Sequence, residues 1–191
     1  MMNEIRYKIQ FYSPWHCGSG LSAGSNVDEL VIKDRNRLPY IPGKTMKGLI
    51  REALEDYAAL SGRSLDKDIM ETLGIETDTD EVGSIVSGTA FFSNAVLCQS
   101  EADAIIASKA QSFLFREVVS TSIDENGIAV DHSLRAIETV VPCTLHASVT
   151  GLPDSLSEIF GKALGMIHHI GMNRNRGLGR CDLIVEKGGE K

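Results

Sequence analysis

The chain has 191 residues, of which 42% are hydrophobic, so residues 1–191 can bury one core and fold as a single domain without disulfide bridges. Its four cysteines lack C-x-x-C spacing and no apolar run is long enough to cross a membrane, which argues against a zinc ribbon, a signal peptide and a membrane span and predicts a cytoplasmic protein. The formal net charge of -7 does not exclude a nucleic-acid binder, because the charges are segregated along the chain.

The first half of the chain contains one predicted strand and one predicted helix. Glu4 to Tyr12 alternates apolar and polar residues, as a half-buried strand does. Apolar residues recur at helical spacing after Gly43, and Gly62 can end that helix. Residues 64–86 are rich in acids and predict an insertion that can hold one short helix.

The centre of the chain is predicted to be rich in strands. Gly88 to Cys98 resembles a strand, Ala102 to Ala107 a short helix, and Phe113 to Val149 a long β-rich section. The segment Asp124-Glu-Asn-Gly127 interrupts that section, and Asn-Gly is a strong signal for a hairpin turn.

A second helix is predicted from Pro153 and from the capping-box pattern Ser155-Leu-Ser-Glu158. Gly171 is predicted to end this helix, and Arg180 to Glu186 to form the closing strand. The major elements then follow the order β, α, ββ, α, β, which is the order of the ferredoxin-like (RRM-like) fold, with both helices on one face of an antiparallel sheet. The sequence therefore predicts an α+β protein in which the other segments are loop or helical insertions. The strands lack the aromatic pattern of the RNA-recognition motif, so RNA binding would use the loops.

Basic residues are concentrated at the predicted start of the first helix. Pro39 and Pro42 keep the chain extended before Gly43, so the first helical turn offers free backbone N–H groups. These donors suit an anion, and a nucleic-acid backbone fits best. The range from Lys33 to Arg51 holds six basic residues and one acid, and those at the helix start are Lys44, Lys47 and Arg51.

A second basic segment, Gly171-Met-Asn-Arg-Asn-Arg-Gly-Leu-Gly-Arg180, contains three arginines and no acid. Its glycines allow bends that bring backbone N–H groups close to a phosphate, and arginine forks can bind the phosphate oxygens. Arg174, Arg176 and Arg180 are therefore predicted to contact RNA. The structural alternative is a helix-to-strand connection that carries exposed arginines.

Four motifs occur in a fixed order along the chain. They are Ser13-Pro-Trp-His-Cys-Gly-Ser-Gly20, Val27-Asp-Glu-Leu-Val-Ile-Lys-Asp34, Pro39-Tyr-Ile-Pro-Gly-Lys-Thr-Met-Lys-Gly-Leu-Ile-Arg51 and the loop from Gly171 to Arg180. Together they resemble the RAMP superfamily of CRISPR-associated proteins, and more narrowly the repeated backbone subunit of type III effector complexes. The last loop departs from the family pattern, in which another glycine often precedes the basic residue.

This resemblance implies a guide-RNA-binding subunit of an antiviral surveillance complex. In such subunits the core holds the guide phosphates, copies associate head-to-tail along the RNA, and a β-hairpin thumb interrupts guide–target pairing at regular intervals. The implied partners are guide RNA, target RNA and other effector subunits. His16, Lys47 and Arg51 become candidate guide contacts, although His16 could also pack or serve as a general base. The thumb is placed at residues 116–140, and its named residues are Arg116, Ser122, Ile123, Asp124, Arg135 and Glu138.

The same resemblance assigns catalysis to Asp28, because an aspartate just before the short Val-Ile strand is needed in these subunits to cut target RNA beside each thumb. It implies a metal-dependent endoribonuclease, with Mg²⁺ or another divalent cation and no organic cofactor. One carboxylate can hold a hydrated magnesium ion or align an RNA 2′-hydroxyl, but it cannot form a two-metal site alone. Glu29 is a candidate helper. Without the resemblance, Asp28 would be read as a solvated or turn-forming acid.

Two other functions share these features. A guide-processing endoribonuclease cleaves a repeat hairpin without metal by means of a histidine, and His16 or His132 could supply it. A non-catalytic scaffold or capping subunit would keep the RNA groove without cleavage. The context of Asp28 favours target cleavage over both.

Overall fold

A computed structural model describes residues 4–20, 29–64, 66–74 and 87–186 of the chain. Strands and helices both occur in these ranges, and two short 3-10 turns lie at Gln111–Leu114 and Arg174–Arg176. The strands are β1 (Glu4–Phe11), β2 (Phe91–Phe92), β3 (Phe115–Ser120), β4 (Arg135–Val140), β5 (Thr144–Thr150) and β6 (Cys181–Val185). The helices are α1 (Gly43–Ser61), α2 (Asp66–Leu73), α3 (Gln99–Ala107) and α4 (Asp154–Leu164).

The main sheet has the strand order β2-β5-β1-β6, and every neighbouring pair in it is antiparallel. Ile9 of β1 lies opposite Leu145 of β5 and Leu183 of β6, and all three are buried. The predicted alternation of the first strand is confirmed, because Tyr7, Ile9 and Phe11 alternate with more exposed polar residues. One face of this sheet therefore carries the core.

Helices α1 and α4 pack on that buried face and on each other. Ile50 and Leu54 of α1 are fully buried, as are Leu156 and Phe160 of α4. The Phe160 ring meets the Tyr7 ring edge-on at 5.9 Å, a favoured aromatic geometry. Burial of these apolar helix faces against the sheet contributes to the stability of the fold.

The predicted α+β class and antiparallel pairing are confirmed, whereas the ferredoxin-like core as such stays a prediction. The strand predicted over Gly88–Cys98 is reduced to the two residues of β2, followed by isolated bridges at Ala95 and Val96. The first helix ends as predicted, at Gly62, whose φ of 65° places it in the left-handed region.

The second helix begins after Pro153 as predicted, but the predicted capping box and the predicted end are wrong. No side chain caps the start of α4. The Ser155 hydroxyl instead donates to the Asp68 carboxylate of α2 at 2.6 Å, so a tertiary contact takes the group that the capping box would have used. The helix ends at Leu164, several residues before Gly171.

Strands β3 and β4 form a separate antiparallel hairpin, with Phe115 opposite Val140 at its base. The predicted turn is confirmed: the Asp124 carboxylate accepts the N–H groups of Asn126 and Ile128, and Gly127 has a φ of 79°. A further bridge joins Ile123 to Ala129. The hairpin is therefore a two-stranded sheet of its own whose pairing resumes close to the turn.

The acidic insertion contains the short helix that the sequence allowed, α2, while residues 75–86 lie outside the described residues. All four cysteines are free thiols. Burial raises the pKa of Cys143 to about 11 and that of Cys181 to about 12. None of the described helices is long and apolar enough to span a membrane.

Candidate nucleic-acid interface

The first, third and fourth motifs meet at one end of the main sheet, and the described part of the second motif pairs with the first. Phe11 at the end of β1 lies opposite Cys181 at the start of β6, so the segment after β1 and the loop before β6 are neighbours. The backbone joins them: Tyr12 N–H donates to the Arg180 carbonyl at 2.8 Å, and Gly179 N–H donates to the Pro14 carbonyl at 2.8 Å. The start of α1 lies near the same end. Ile41, just before α1, pairs with Ala95, and the next residue, Val96, pairs with His146 near the start of β5.

Gly171 fits closely against the first motif. Its φ of 98° lies in the left-handed region, and a Cβ atom at this position would collide with the His16 carbonyl oxygen. Met172 N–H donates to that same oxygen at 3.1 Å. The lack of a side chain at Gly171 therefore allows the loop backbone to lie against the backbone of His16. Its neighbour Gly177 also has a positive φ, of 83°, but a Cβ there would meet open space.

The arginines of this loop are accessible. Arg174 and Arg176 lie in the short 3-10 turn, and both are exposed, as is Arg180. Arg180 N–H is held by the Ser13 hydroxyl at 2.9 Å, which fixes the backbone and leaves the guanidinium in solvent. The loop thus presents three cationic side chains from a fixed backbone.

The start of α1 offers fewer free amides than the sequence predicted. Gly43 N–H donates to the Asn94 side-chain oxygen at 2.9 Å, and the Thr45 and Met46 amides bond to the Pro42 carbonyl. Among the described residues, only the Lys44 amide of this first turn is left without a partner, and its side chain is exposed. The anion-binding capacity here rests more on the lysines than on backbone donors.

Arg51 has a structural role. Its guanidinium donates to the carbonyl oxygens of Leu73 at 2.6 Å and Gly74 at 2.8 Å, at the carboxyl-terminal end of α2. These carbonyls have no partner within a helix, and a cation there is favoured by the helix dipole. The predicted contact with RNA would therefore compete with a bond that holds α2 to α1.

The two predicted basic clusters do not line one cleft. A cleft of about 410 Å³ runs between α1 and the Gly171 loop, and Arg174 lines it together with Glu52 and Asp56 of α1. Lys47 and Arg51 are each two positions from Leu49, which also lines it, so they lie roughly 160° away around the helix. A continuous RNA track would have to pass over the start of α1.

His16 is fully buried. Its Nδ1 lies 2.6 Å from the Glu138 carbonyl oxygen, and its Nε2 lies 3.6 Å from a carboxylate oxygen of Glu29. Nε2 has no hydrogen bond among the described residues. Of the three roles left open for this side chain, packing is the one that this position serves directly, because a guide contact requires an exposed ring.

Glu138 belongs to the base of the hairpin rather than to its tip. Its carboxylate accepts from Lys33 Nζ at 2.7 Å and from the Val31 amide at 3.0 Å. Its own amide donates to the Glu29 carbonyl at 3.0 Å. Strand β4 is therefore bonded to the segment that follows Asp28, and Asp28 itself lies outside the described residues.

The other named thumb residues are exposed along the hairpin. Arg116 and Arg135 lie on β3 and β4, and Ser122, Ile123 and Asp124 lie in the turn region. Ile123 and Ile128 at the tip are 65% and 64% exposed. The tip of the segment predicted to be the thumb therefore carries two exposed apolar side chains.

A model of the RAMP superfamily matches residues 8–182. The chain belongs to the RAMP superfamily. The solved structures add the fold: a chain of the Type III-B Cmr-beta complex bound to cognate target RNA superposes with a TM-score of 0.69 at 13% identity, covering 96% of this chain and 97% of that one. A chain of the same complex in its apo state gives a TM-score of 0.70 at 13% identity, covering 97% and 98%. A comparison with curated proteins gives no match.

The described part of this RAMP domain contains no group of three or more His, Cys, Asp or Glu side chains that could hold a metal ion. Near the segment that follows Asp28, the Glu138 carboxylate is already used by Lys33 and Val31, which leaves Glu29 as the nearest available acid. The described residues alone therefore do not make a metal site.

Two features of this interface were missed from the sequence. No sequence pattern indicates the anchoring role of Glu138, because its partners lie more than one hundred residues away in the chain. Lys109 joins Arg35 and Arg37 in a basic cleft, and only the Lys33–Arg37 charge run hinted at it.

We expect Gly171→Ala to destabilise the RAMP domain by about 2–5 kcal/mol, because the new Cβ strains φ and pushes the loop off the first motif. The matched control Gly177→Ala should cost only about 1–2 kcal/mol, since it introduces φ strain without a collision. Urea unfolding of both variants measures the difference. Equal destabilisation would show that the close approach to His16 contributes nothing.

Replacing Arg51 by Ala should lower the free energy of unfolding by about 1–3 kcal/mol, since two carbonyls of α2 would then have no donor. Lys47→Ala, on the same helix, should change it by less than about 0.5 kcal/mol. Thermal unfolding followed by circular dichroism separates the two. If Arg51→Ala leaves the free energy of unfolding unchanged, Arg51 is again a candidate RNA contact.

Proposed function

We propose that this RAMP protein is a guide-RNA-binding backbone subunit of a type III CRISPR effector complex. In this proposal its core is ferredoxin-like, and the hairpin at 116–140 is the thumb that interrupts guide–target pairing. Membership of the superfamily and the likeness to two Cmr-beta chains, one of them from a complex bound to cognate target RNA, support the assignment.

One observation carries the proposal: the segment after Asp28 is bonded to the base of the hairpin. Glu29 pairs with Ile137, and Glu138 binds Glu29 and Val31. Asp28 directly precedes Glu29 in the sequence. A target strand displaced by the thumb would pass close to this carboxylate, which is the arrangement that cleavage beside each thumb requires.

We further propose that Asp28 cleaves the paired target RNA in a reaction that needs Mg²⁺ or another divalent cation. A bound cation would supply charge stabilisation at the scissile phosphate. Glu29 is the acid best placed to assist, because it follows Asp28 directly and its side chain is partly exposed. The remaining ligands would come from RNA, from water or from residues outside those described.

Guide binding would rest on Lys44 and Lys47 at the start of α1 and on Arg174, Arg176 and Arg180 of the loop. These side chains contact phosphates without reading sequence, so specificity would come from pairing with the guide. Copies would associate head-to-tail along the guide with other effector subunits in the cytoplasm, because a heterologous interface repeats along a strand without closing.

Burial of His16 argues against metal-free guide processing by that residue. His132 lies in the exposed hairpin loop, with a φ of 59°. A non-catalytic scaffold is the alternative outcome of the cleavage test.

We expect Asp28→Asn to abolish target-RNA cleavage while guide binding stays within about twofold, because the amide keeps the shape and removes the charge. Complexes reconstituted with partner subunits and guide RNA are given labelled target with Mg²⁺ or EDTA, and the spacing of the products is read on a gel. Asp103→Asn, on the exposed face of α3, is the matched control and should cleave normally. Cleavage that survives in Asp28→Asn would make this residue structural and leave the scaffold function.

Guide affinity should fall steeply with salt, and Lys47→Ala should reduce the slope of log K against log salt by about 0.7 for each phosphate that the protein no longer neutralises. Lys67→Ala removes an exposed lysine from α2 and should leave the slope unchanged. Fluorescence anisotropy at several salt concentrations gives the slopes. The same slope in wild type and Lys47→Ala would remove Lys47 from the interface.

A further inference from the structure

We propose that a second RNA site, which deepens the proposed function and rests on it, lies in the basic cleft between the Lys33–Arg37 turn and the end of α3. The site takes a phosphate of single-stranded RNA in the cleft and stacks the adjoining base on Phe113. Neither the sequence motifs nor the family match assigns these residues to RNA.

The cleft has a volume of about 660 Å³ and is lined by Lys33, Arg35, Arg37, Lys109, Ser112 and Glu138, among others. The single acid is already neutralised, since Glu138 bonds Lys33 at 2.7 Å, and Lys33 also lies over the Phe115 ring at 4.1 Å. Within the described ranges, Arg35, Arg37 and Lys109 have no ion-pair partner. The cleft therefore presents three unpaired cations to solvent.

The turn is built to hold its arginines in place. The Asp34 carboxylate accepts the amides of Asn36 and Leu38, both at 2.8 Å, and the Asp34 carbonyl accepts the Arg37 amide at 3.0 Å. Asp34 is thus used by the backbone rather than by a cation, and a fixed turn reduces the ordering cost of binding.

Two of the cations occupy backbone conformations that favour glycine. Arg37 has a φ of 62° and Lys109 a φ of 55°. Lys109 follows α3 at the position where a glycine usually ends a helix: its amide bonds to the Ile106 carbonyl, and the next amide bonds to the Ile105 carbonyl. A long cationic side chain at this position adds backbone strain, and strained residues concentrate at functional sites.

An exposed aromatic residue is the chain neighbour of a cleft residue. Phe113 follows the cleft residue Ser112 in the 3-10 turn and is 81% exposed. Proteins bind single-stranded nucleic acids by combining cations with exposed aromatic rings. The cations contact the phosphates, and a base stacks on the ring. This favours single-stranded RNA over an acidic protein surface, which has no need of the ring.

The cleft is suitably placed to bind a target-RNA strand that leaves the thumb. Glu138 lines the cleft and also holds the segment that follows Asp28. A target strand unpaired at the hairpin base would therefore find this cleft next to the proposed cleavage site. The cations and the ring would hold that strand while it is cut.

The decisive variant is Lys109→Gly, because it removes the cation and relieves the backbone strain together. We expect its melting temperature to be equal to or above that of wild type, while its affinity for a labelled oligouridylate falls several-fold and its salt slope falls by about 0.7. A purely structural Lys109 would give higher stability with unchanged affinity, which would overturn the proposal. Lys67→Ala removes an exposed lysine from α2 without placing a glycine in a helix, so it serves as the control for removal of a charge.

Phe113→Ala tests the stacking half of the site. Because the ring is exposed, the fold should be unaffected, and affinity for the oligouridylate should fall roughly tenfold with an unchanged salt slope. Inorganic phosphate should compete only weakly, since it lacks the base. Equal affinity in wild type and Phe113→Ala would overturn the stacking assignment.

The outcomes separate the two proposals. If the wild-type chain binds no RNA, either alone or with partner subunits, both the proposed function and this site are wrong. If both cleft variants bind RNA as tightly as wild type does, only the proposal of this second site is wrong. Variants that alter self-association in sedimentation instead of RNA affinity would assign the cleft to a second protein copy and overturn the RNA assignment.

Discussion

Glu138 joins the hairpin to the rest of the domain, and the arrangement of the candidate site depends on that connection. Its carboxylate binds Lys33 and the Val31 amide, its amide binds the Glu29 carbonyl, and its carbonyl oxygen lies 2.6 Å from His16 Nδ1. This partly buried carboxylate has a hydrogen-bond donor on each of its two oxygens, so neither oxygen is left without a partner. The hairpin is thereby held to the segment that begins at Glu29.

The cations of this protein divide into structural and available groups. Arg51 binds the end of α2, and Lys33 is paired with Glu138 and lies over Phe115. Lys44, the three loop arginines and the cleft residues Arg35, Arg37 and Lys109 are exposed, and Lys47 is partly exposed. Charge counts along the sequence treat these groups alike, but only the second group can gain by binding phosphate without breaking an existing bond.

The fold shows how an acidic protein can keep local clusters of cations available to a polyanion. With a formal net charge of -7, long-range attraction to a polyanion is weak, so binding depends on local clusters from which acids are excluded or in which they are used internally. Asp34 bonds its own turn and Glu138 bonds Lys33, and both leave the neighbouring cations free. The acids Glu52 and Asp56 remain beside Arg174, which makes that cleft the less favourable path for a phosphate chain.

The sequence by itself determined the elements whose signal is local. The alternation of β1, the helical spacing of α1 with its terminal Gly62, and the Asn-Gly turn of the hairpin all depend on neighbours within a few residues, and the structure has each of them. The four motifs in order also sufficed to indicate the superfamily. Tertiary structure alone decided the uses of side chains whose partners are distant: Ser155 bonds Asp68 instead of capping its helix, Arg51 binds α2, His16 is buried, and Lys109 joins the Lys33–Arg37 turn. Hydrogen bonds and charges act over a few ångströms in space, so which group receives each donor is fixed only when the chain has folded.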